Sequence, residues 1–279
     1  MKILITGANG MLAHALKKTL RPKNRLILTD IDNMDITKTK EVLKFFNKTK
    51  PEIVIHTAAY TDVDGAESNK SLALKINRDG TRNVAIAAKK LDIPIVYIST
   101  DYVFGGGKRK PYTENDKPNP LSVYGTSKYA GEKEVKRITK KHYITRSAWL
   151  YGPGGKNFIM TILRLANELD ELKIVNDQKG CPTYTFDLAE AISKLIKNEK
   201  YGLYHVVNSG SCTWFGFAKE ILKIKKIKKK VIPITSKELN RPAKRPTYSV
   251  LSNKKVKKIG VNLRPWQKAL ANFLETIPS

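Results

Sequence analysis

Tyr124 and Lys128, within SVYGTSKYAGE, put a phenol and an ammonium four residues apart. On a helix both project from one face, about one turn apart. A free phenol, with a pKa near ~10, gives up its proton reluctantly at neutral pH. A neighbouring positive charge favours the phenolate and draws that value toward the working pH, where proton transfer is most effective. The pair therefore suits protonation or deprotonation of a carbonyl–alcohol couple. YxxxK is frequent by chance on lysine-rich helix surfaces, so its meaning rests on what precedes it.

The chain opens KILITGANGMLAHALKKTL. Ile3, Leu4 and Ile5 form the apolar run of a strand buried on both faces, as in a parallel sheet. Gly7 and Gly10 follow, then helical spacing through Leu12, Ala15, Leu16 and Leu20. Gly7 permits a tight turn and Gly10 lets backbone approach a pyrophosphate; Ala13 stands in for the third glycine of this pattern. Free amides at the helix start hold the anion. A second strand, RLILTD, ends in Asp30, twenty residues past Gly10. A carboxylate there accepts hydrogen bonds from a ribose 2′-hydroxyl. Strand, glycines, helix and acid in this order predict a dinucleotide site rather than a turn that needs glycine for geometry alone.

These elements belong to a regular first half. A helix is expected over Lys38–Lys48, the strand EIVIHTAAY next, a helix from about Leu72 to Leu91, and the strand IPIVYIST. A Gly/Pro-rich loop (Gly105–Pro120) leads to the YxxxK helix, and the strand HYITRSAWLYG closes the half. Alternating strands and helices predict a Rossmann-type, doubly wound parallel α/β sheet. Ligands bind such sheets at the carboxyl ends of strands, where Asp30, Thr57–Thr61, Ser99–Asp101 and Ser147–Trp149 fall. The second half is less regular, with helices at NFIMTILRLANEL, Trp214–Leu222 and Trp266–Leu274 and no linker. The reading is a dinucleotide-binding domain of residues 1–150 and 180–208, interleaved with a smaller α/β substrate domain of residues 151–179 and 209–279.

Composition bounds the function. The 279 residues are 41% hydrophobic and contain no run of membrane-spanning length. No charged segment leads into a long apolar core at the start, so no secretory signal is read. Cys181 and Cys212 lack CxxC spacing and are expected as buried thiols in a reducing cytoplasm, with a disulfide left open. His14, His56, His142 and His205 lie far apart and predict no metal site. The net charge of +27 comes largely from lysine, with runs at 223–230 and 254–258. Clustered cations attract nucleic-acid phosphates, but these runs lack the interleaved aromatics of a single-strand groove. They are read as a solvated surface, so nucleic acid is not an expected partner. A basic cleft would still help gather a pyrophosphate-bearing substrate.

TGANGML, AAYTDVDGAE, STDYVF, YGTSKYAGE, DQKGCPT and RPAKRP occur in this order from Lys2 toward Leu274. The chain thereby resembles the extended short-chain dehydrogenase/reductases, and among them the dTDP-4-dehydrorhamnose reductase family. STDYVF with DQKGCPT and RPAKRP is the narrow part of that resemblance. The stretch GGGKRKPY departs from it by being more basic.

The resemblance implies reduction of the C4 ketone of dTDP-4-dehydro-6-deoxy-L-mannose (dTDP-4-dehydro-L-rhamnose) to dTDP-L-rhamnose by NADH or NADPH. Thr100, Tyr124 and Lys128 match the catalytic triad: Tyr124 gives the proton, Lys128 holds the nicotinamide ribose and lowers the phenol pKa, and Thr100 orients the carbonyl. Gly7, Gly10, Met11 and Leu12 would line the pyrophosphate, with Asp30 at the adenosine ribose and Asp35 and Ile36 beside the adenine. Ala58, Ala59, Tyr60 and Thr61 would run along the nicotinamide half. Asp101, Tyr102 and Trp149, with Thr100, fall where the family contacts the sugar nucleotide. Asp30 repels a 2′-phosphate and leans the reading toward NADH, while the resemblance permits NADPH. A divalent ion such as Mg2+ is a feature of some members' assembly, yet no ligands are assignable here, and a homodimer is left open. Two further readings stay open: a non-catalytic regulatory subunit resembling the beta subunit of methionine adenosyltransferase, and a reductase of another nucleotide-linked keto sugar.

Overall fold

The computed structural model describes residues 1–277. In chain order the elements are β1 (Lys2–Thr6), α1 (Met11–Leu20), β2 (Arg25–Thr29), α2 (Thr39–Thr49) and β3 (Ile53–His56). Then come the short helices α3 (Gly65–Ser68) and α4 (Lys70–Leu74), α5 (Thr81–Lys90), β4 (Ile95–Thr100), α6 (Val123–Ile138) and β5 (His142–Ser147). The second half runs β6 (Leu150–Tyr151), α7 (Phe158–Glu168), β7 (Glu171–Val175), β8 (Lys179–Gly180), β9 (Thr183–Tyr184), α8 (Thr185–Leu195) and β10 (Gly202–His205). It ends β11 (Cys212–Thr213), α9 (Trp214–Ile224), β12 (Lys230–Ile234), α10 (Ser236–Leu239), α11 (Lys254–Lys257) and α12 (Trp266–Glu275).

Six parallel strands form one sheet in the order β10-β5-β4-β3-β1-β2. The run of apolar residues in β1 reflects burial on both sides. Ile3 and Ile5 pack toward α1 and α8, while Leu4 packs toward α2 and α5. From β1 the chain moves outward to β2 and then back across to β3. That reversal opens a crevice beyond the carboxyl ends of β1 and β3, the usual ligand position in such sheets. The doubly wound α/β fold expected from the sequence is the fold observed.

A second core joins α7, α9 and α12 through Ile159, Ile162, Phe217, Ile221, Leu270 and Phe273. A third cluster, including Phe104, Tyr112, Ala148 and Leu251, ties the chain after β4 to the tail. The cores interleave more finely than the sequence boundaries. Val256, Val261 and Leu263, within the stretch 209–279, pack with the sheet, whereas Tyr184 packs in the second core.

Local departures have physical causes. The helix expected over about 72–91 is interrupted by a π-helical turn at Lys75–Gly80, which contains Asn77. The Asn77 side chain accepts from the Tyr60 amide at 2.9 Å and donates to the Tyr60 carbonyl at 3.0 Å. The strand expected through HYITRSAWLYG stops at Ser147, because Trp149 adopts a left-handed φ of 47°. The chain resumes as β6, paired with β9. Strand β12 emerges from the lysine-rich tail and lies parallel to β7, an element the sequence reading did not anticipate.

Candidate active site

A cavity of about 1010 Å³ follows the crevice from the β1–α1 turn to the tip of β4. At one end Gly7 turns with φ +65°, and a Cβ there would lie 2.7 Å from the Ala58 backbone. Only glycine fits so close an approach in that conformation. Gly10 precedes α1 with no side-chain cap, and the first turn carries no acid. Its orphan amides are therefore free to meet an anion where Met11 and Leu12 line the cavity.

Asp30 accepts from the amides of Asn9 at 2.8 Å and Ile31 at 2.9 Å, bracing the glycine turn while lining the cavity. Asp35 accepts from the Thr37 amide and hydroxyl, each at 2.8 Å. Burial works to raise its pKa, but those bonds and the charges of Lys38 and Lys75 together hold it below the usual value. Ile36, Ala58, Ala59 and Thr61 also line the cavity. Tyr60 does not; its backbone is occupied by Asn77.

At the other end Ser122 caps α6 by accepting from the Gly125 amide at 3.1 Å. Gly125 is required there, since a Cβ would run into the Tyr102 carbonyl. The helix thus starts against the chain that follows β4, and Thr100, Tyr124 and Lys128 meet on the same cavity. The Thr100 hydroxyl accepts from the Tyr102 amide and donates to Asp101 Oδ1, both at 3.1 Å.

The electrostatics correct the sequence expectation for the pair. Burial pushes the Tyr124 phenol up to about 12, against a hydrogen bond with Thr100 and reinforced by the Asp101 charge. Burial likewise pushes the Lys128 ammonium down to about 7, against the opposing field of Glu132. Proximity in sequence favoured a lowered phenol, but withdrawal from water outweighs it at both groups. The phenol is thus held protonated at neutral pH, as a proton donor needs to be.

Asp101 is 2% exposed and accepts from the Ser249 hydroxyl at 2.5 Å. Burial raises it to about 7, against the bonds from Ser249 and Thr100. Burial also raises the neighbouring Tyr102 phenol above its ordinary range, with the Asp101 charge adding to the effect. Trp149 stacks on Trp214 with ring centroids 3.5 Å apart and planes 6° from parallel.

Several lining residues had not been singled out: Asn9, Lys75, Gly154, Gly155, Lys156 and Trp214. PGGK after β6 was a readable glycine signal. Trp214 had none, because its role arises from a partner 65 residues earlier.

The family model described as RmlD substrate binding domain matches residues 1–278. The chain is 39% identical to the spore coat polysaccharide biosynthesis protein SpsK of Bacillus subtilis, covering 98% of this chain and 97% of that protein. A dTDP-4-dehydrorhamnose reductase structure from Clostridium acetobutylicum superposes with a TM-score of 0.96 at 46% identity, over 99% of both chains. That of the Bacillus anthracis reductase in complex with NADP also gives 0.96, at 42% identity and 99% of both chains. With a family model spanning nearly its whole length and relatives this similar, the chain belongs to the dTDP-4-dehydrorhamnose reductase family of the RmlD substrate binding domain type.

Proposed function

We propose that this protein reduces the C4 ketone of dTDP-4-dehydro-L-rhamnose to dTDP-L-rhamnose, using a reduced nicotinamide dinucleotide. One observation carries the reading: Thr100, Tyr124 and Lys128 share a cavity with the uncapped, glycine-lined start of α1. The left-handed Gly7 and the bare Gly10 make a cradle that any Cβ would narrow, which fits a dinucleotide pyrophosphate. Gly7, Gly10, Met11 and Leu12 would hold it, with Asp30 at the ribose, Asp35 and Ile36 at the adenine, and Ala58, Ala59 and Thr61 toward the nicotinamide; Tyr60, which lies off the cavity, is left out of that set. The cofactor supplies the hydride.

The remaining chemistry belongs to the side chains. Tyr124 donates its proton to the oxygen developing at C4, and Thr100 orients that oxygen by hydrogen bonding. Lys128 holds the cofactor ribose and stabilises the phenolate left behind. Asp101, Tyr102 and Trp149 bound the sugar nucleotide. Residues 1–150 and 180–208 form the dinucleotide-binding domain, which also presents Asp101, Tyr102 and Trp149 to the substrate, and residues 151–179 and 209–279 the smaller substrate domain. No ligand set for Mg2+ is assigned. The free thiols of Cys181 and Cys212 support work in a reducing cytoplasm, and no described helix is long and apolar enough to cross a membrane.

Asp30 favours NADH, because its fixed carboxylate opposes a 2′-phosphate; kcat/KM with the two cofactors tests this, and an NADPH preference overturns it. The main test is Tyr124→Phe, which should lower kcat by about 100-fold while cofactor still binds. Near-wild-type turnover in that variant, or no cofactor oxidation by the wild type given dTDP-4-dehydro-L-rhamnose, would overturn the reading.

A further inference from the structure

We propose that Tyr97 is the positioning residue of Lys128, holding its ammonium on the face of a buried ring and its backbone on the ring's hydroxyl. The proposal rests on the reading of Lys128 as part of the reductase site. Tyr97 lies on β4 three residues before Thr100, and its side chain is fully buried. Lys128 Nζ sits 4.3 Å from the ring centroid. The Tyr97 hydroxyl donates to the Lys128 carbonyl at 3.1 Å. It reaches the helix there because residue 131 is glycine, where a Cβ would strike that hydroxyl. One side chain thus grips both ends of one lysine.

The surroundings leave that grip little competition. Lys128 is 4% exposed, and the carboxylate one turn along its helix, Glu132, is engaged elsewhere. Both Glu132 oxygens take bonds from Arg146 on β5, at 2.8 and 2.7 Å, and Ser99 donates to one of them at 2.6 Å. On β3 the His56 ring stacks on Tyr97, with centroids 5.9 Å apart and planes 29° apart. His56 is itself held by Thr6 at 2.7 Å and Thr81 at 3.1 Å, and burial keeps it neutral. Burial also keeps the Tyr97 phenol un-ionised. Other titratable groups that line the same cavity as Lys128 are Tyr124 on its own helix, Asp101 and Tyr102 after β4, and Asp30, Asp35, Lys75 and Lys156. Glu132 still favours the charged ammonium through its field, but its oxygens are bonded to Arg146 and Ser99, and the group the buried ammonium lies against is the negative face of the Tyr97 ring. Tyr97 therefore favours the charged form of Lys128 and resists the loss of its proton.

The test is the pH at which Lys128 becomes reactive in the cofactor-free protein. Competitive acylation with trace acetic anhydride across pH, read by mass spectrometry, gives that midpoint without any assay of turnover. Tyr97→Phe keeps the face and should leave the midpoint in place. Tyr97→Leu should lower it by about one pH unit, a tenfold loss of proton affinity. Should the leucine variant fail to fold, progressively fluorinated phenylalanines at position 97 remove the ring's negative face at nearly constant shape. The midpoint should then fall stepwise. The alkaline limb of kcat/KM should shift to lower pH in step with it. An unchanged midpoint across folded leucine or fluorinated variants overturns the proposal, even with turnover intact. Absent turnover with a shifted midpoint leaves Tyr97 in place and sinks the reductase reading instead.

Discussion

Trp149 and Trp214 lie face to face, 3.5 Å between centroids, joining the loop after β5 to the first turn of α9. Trp149 holds a left-handed backbone at φ 47°, which a bulky residue adopts only when its surroundings fix it. Trp214 is one fixture. The backbone at Gly180 is another, where a Cβ would fall 2.5 Å from the Trp149 ring. Trp214 is in turn held through its indole N–H, which donates to Gln178 Oε1 at 3.1 Å.

Removing Trp214 should therefore loosen a residue assigned to the sugar nucleotide without touching the cofactor cradle. An aromatic pair of this kind contributes about 0.5–1.5 kcal/mol beyond its burial. Trp214→Ala should raise KM for the nucleotide sugar roughly 3–10-fold, with little change in cofactor Kd. Circular dichroism should lose the couplet of two stacked indoles, and Trp214→Phe should recover most of the KM. A larger effect on cofactor binding than on KM would place the pair elsewhere in the mechanism.

Gly7→Ala tests the opposite end of the cavity. The added methyl meets the Ala58 backbone at 2.7 Å in a conformation of φ +65°. Backbone cannot yield as a flexible side-chain tip can, so the turn itself must shift. Strain of about 1–3 kcal/mol is expected, read as a fall in Tm. Cofactor affinity should fall more steeply than stability, because the turn and the uncapped start of α1 move together. Unaltered Kd for NADH and NADPH would remove Gly7 from the cofactor site.

What was legible beforehand was what lies close together along the chain. Gly7, Gly10 and Asp30 are spaced by one strand–turn–helix–strand unit, and Tyr124 and Lys128 by one helical turn, so periodicity alone exposes them. The sheet followed from the same alternation. Residues such as Trp214, Ser249 and Tyr97 act through partners on other elements, and no local spacing marks them. Strand β12 was hidden because KKKVIPI reads first as charge. Solvation was not legible either: the spacing of Tyr124 and Lys128 shows that they meet, but not that both are withdrawn from water.

Asp101 should imprint its burial on the pH dependence of stability. Its folded pKa, about 7, stands well above an unfolded value of ~3.9. Between those values the folded chain binds the extra proton, so this group's contribution is fully favourable below about pH 4 and lost as pH rises through 7. Asp64 works in the other direction. Burial opposes its ionisation, but bonds from Arg245, Arg241 and the Ala243 amide hold it at about 2. Its contribution is present above about pH 4 and disappears as pH falls toward 2. Asp101→Asn should accordingly gain on the wild type between about pH 4 and 7, by about 1.4 kcal/mol for each pH unit crossed, and the gain should level off above 7. Unfolding in denaturant at a series of pH values measures the difference, and a pH-independent gap would show that Asp101 ionises freely.

Glu132 and Arg146 form a fully buried pair, 0% and 1% exposed at the side chain, with Ser99 completing the bonds to the carboxylate. Withdrawing two charges from water is costly, and their attraction repays it only while both are present. Glu132→Gln should therefore destabilise the fold by about 3–5 kcal/mol, because Arg146 keeps its charge without a counter-ion. Replacing both with apolar residues, Glu132→Leu with Arg146→Met, should be far milder than the sum of the single changes. The pair also frames the Lys128 field, since Glu132 favours the charged ammonium. Glu132→Gln should thus lower the pH at which Lys128 loses its proton, whereas the double variant tests stability with neither charge left behind. Denaturant unfolding of the wild type, Glu132→Leu, Arg146→Met and the double variant gives the coupling. Additive losses would mean that the two side chains, though in contact, stabilise the sheet independently.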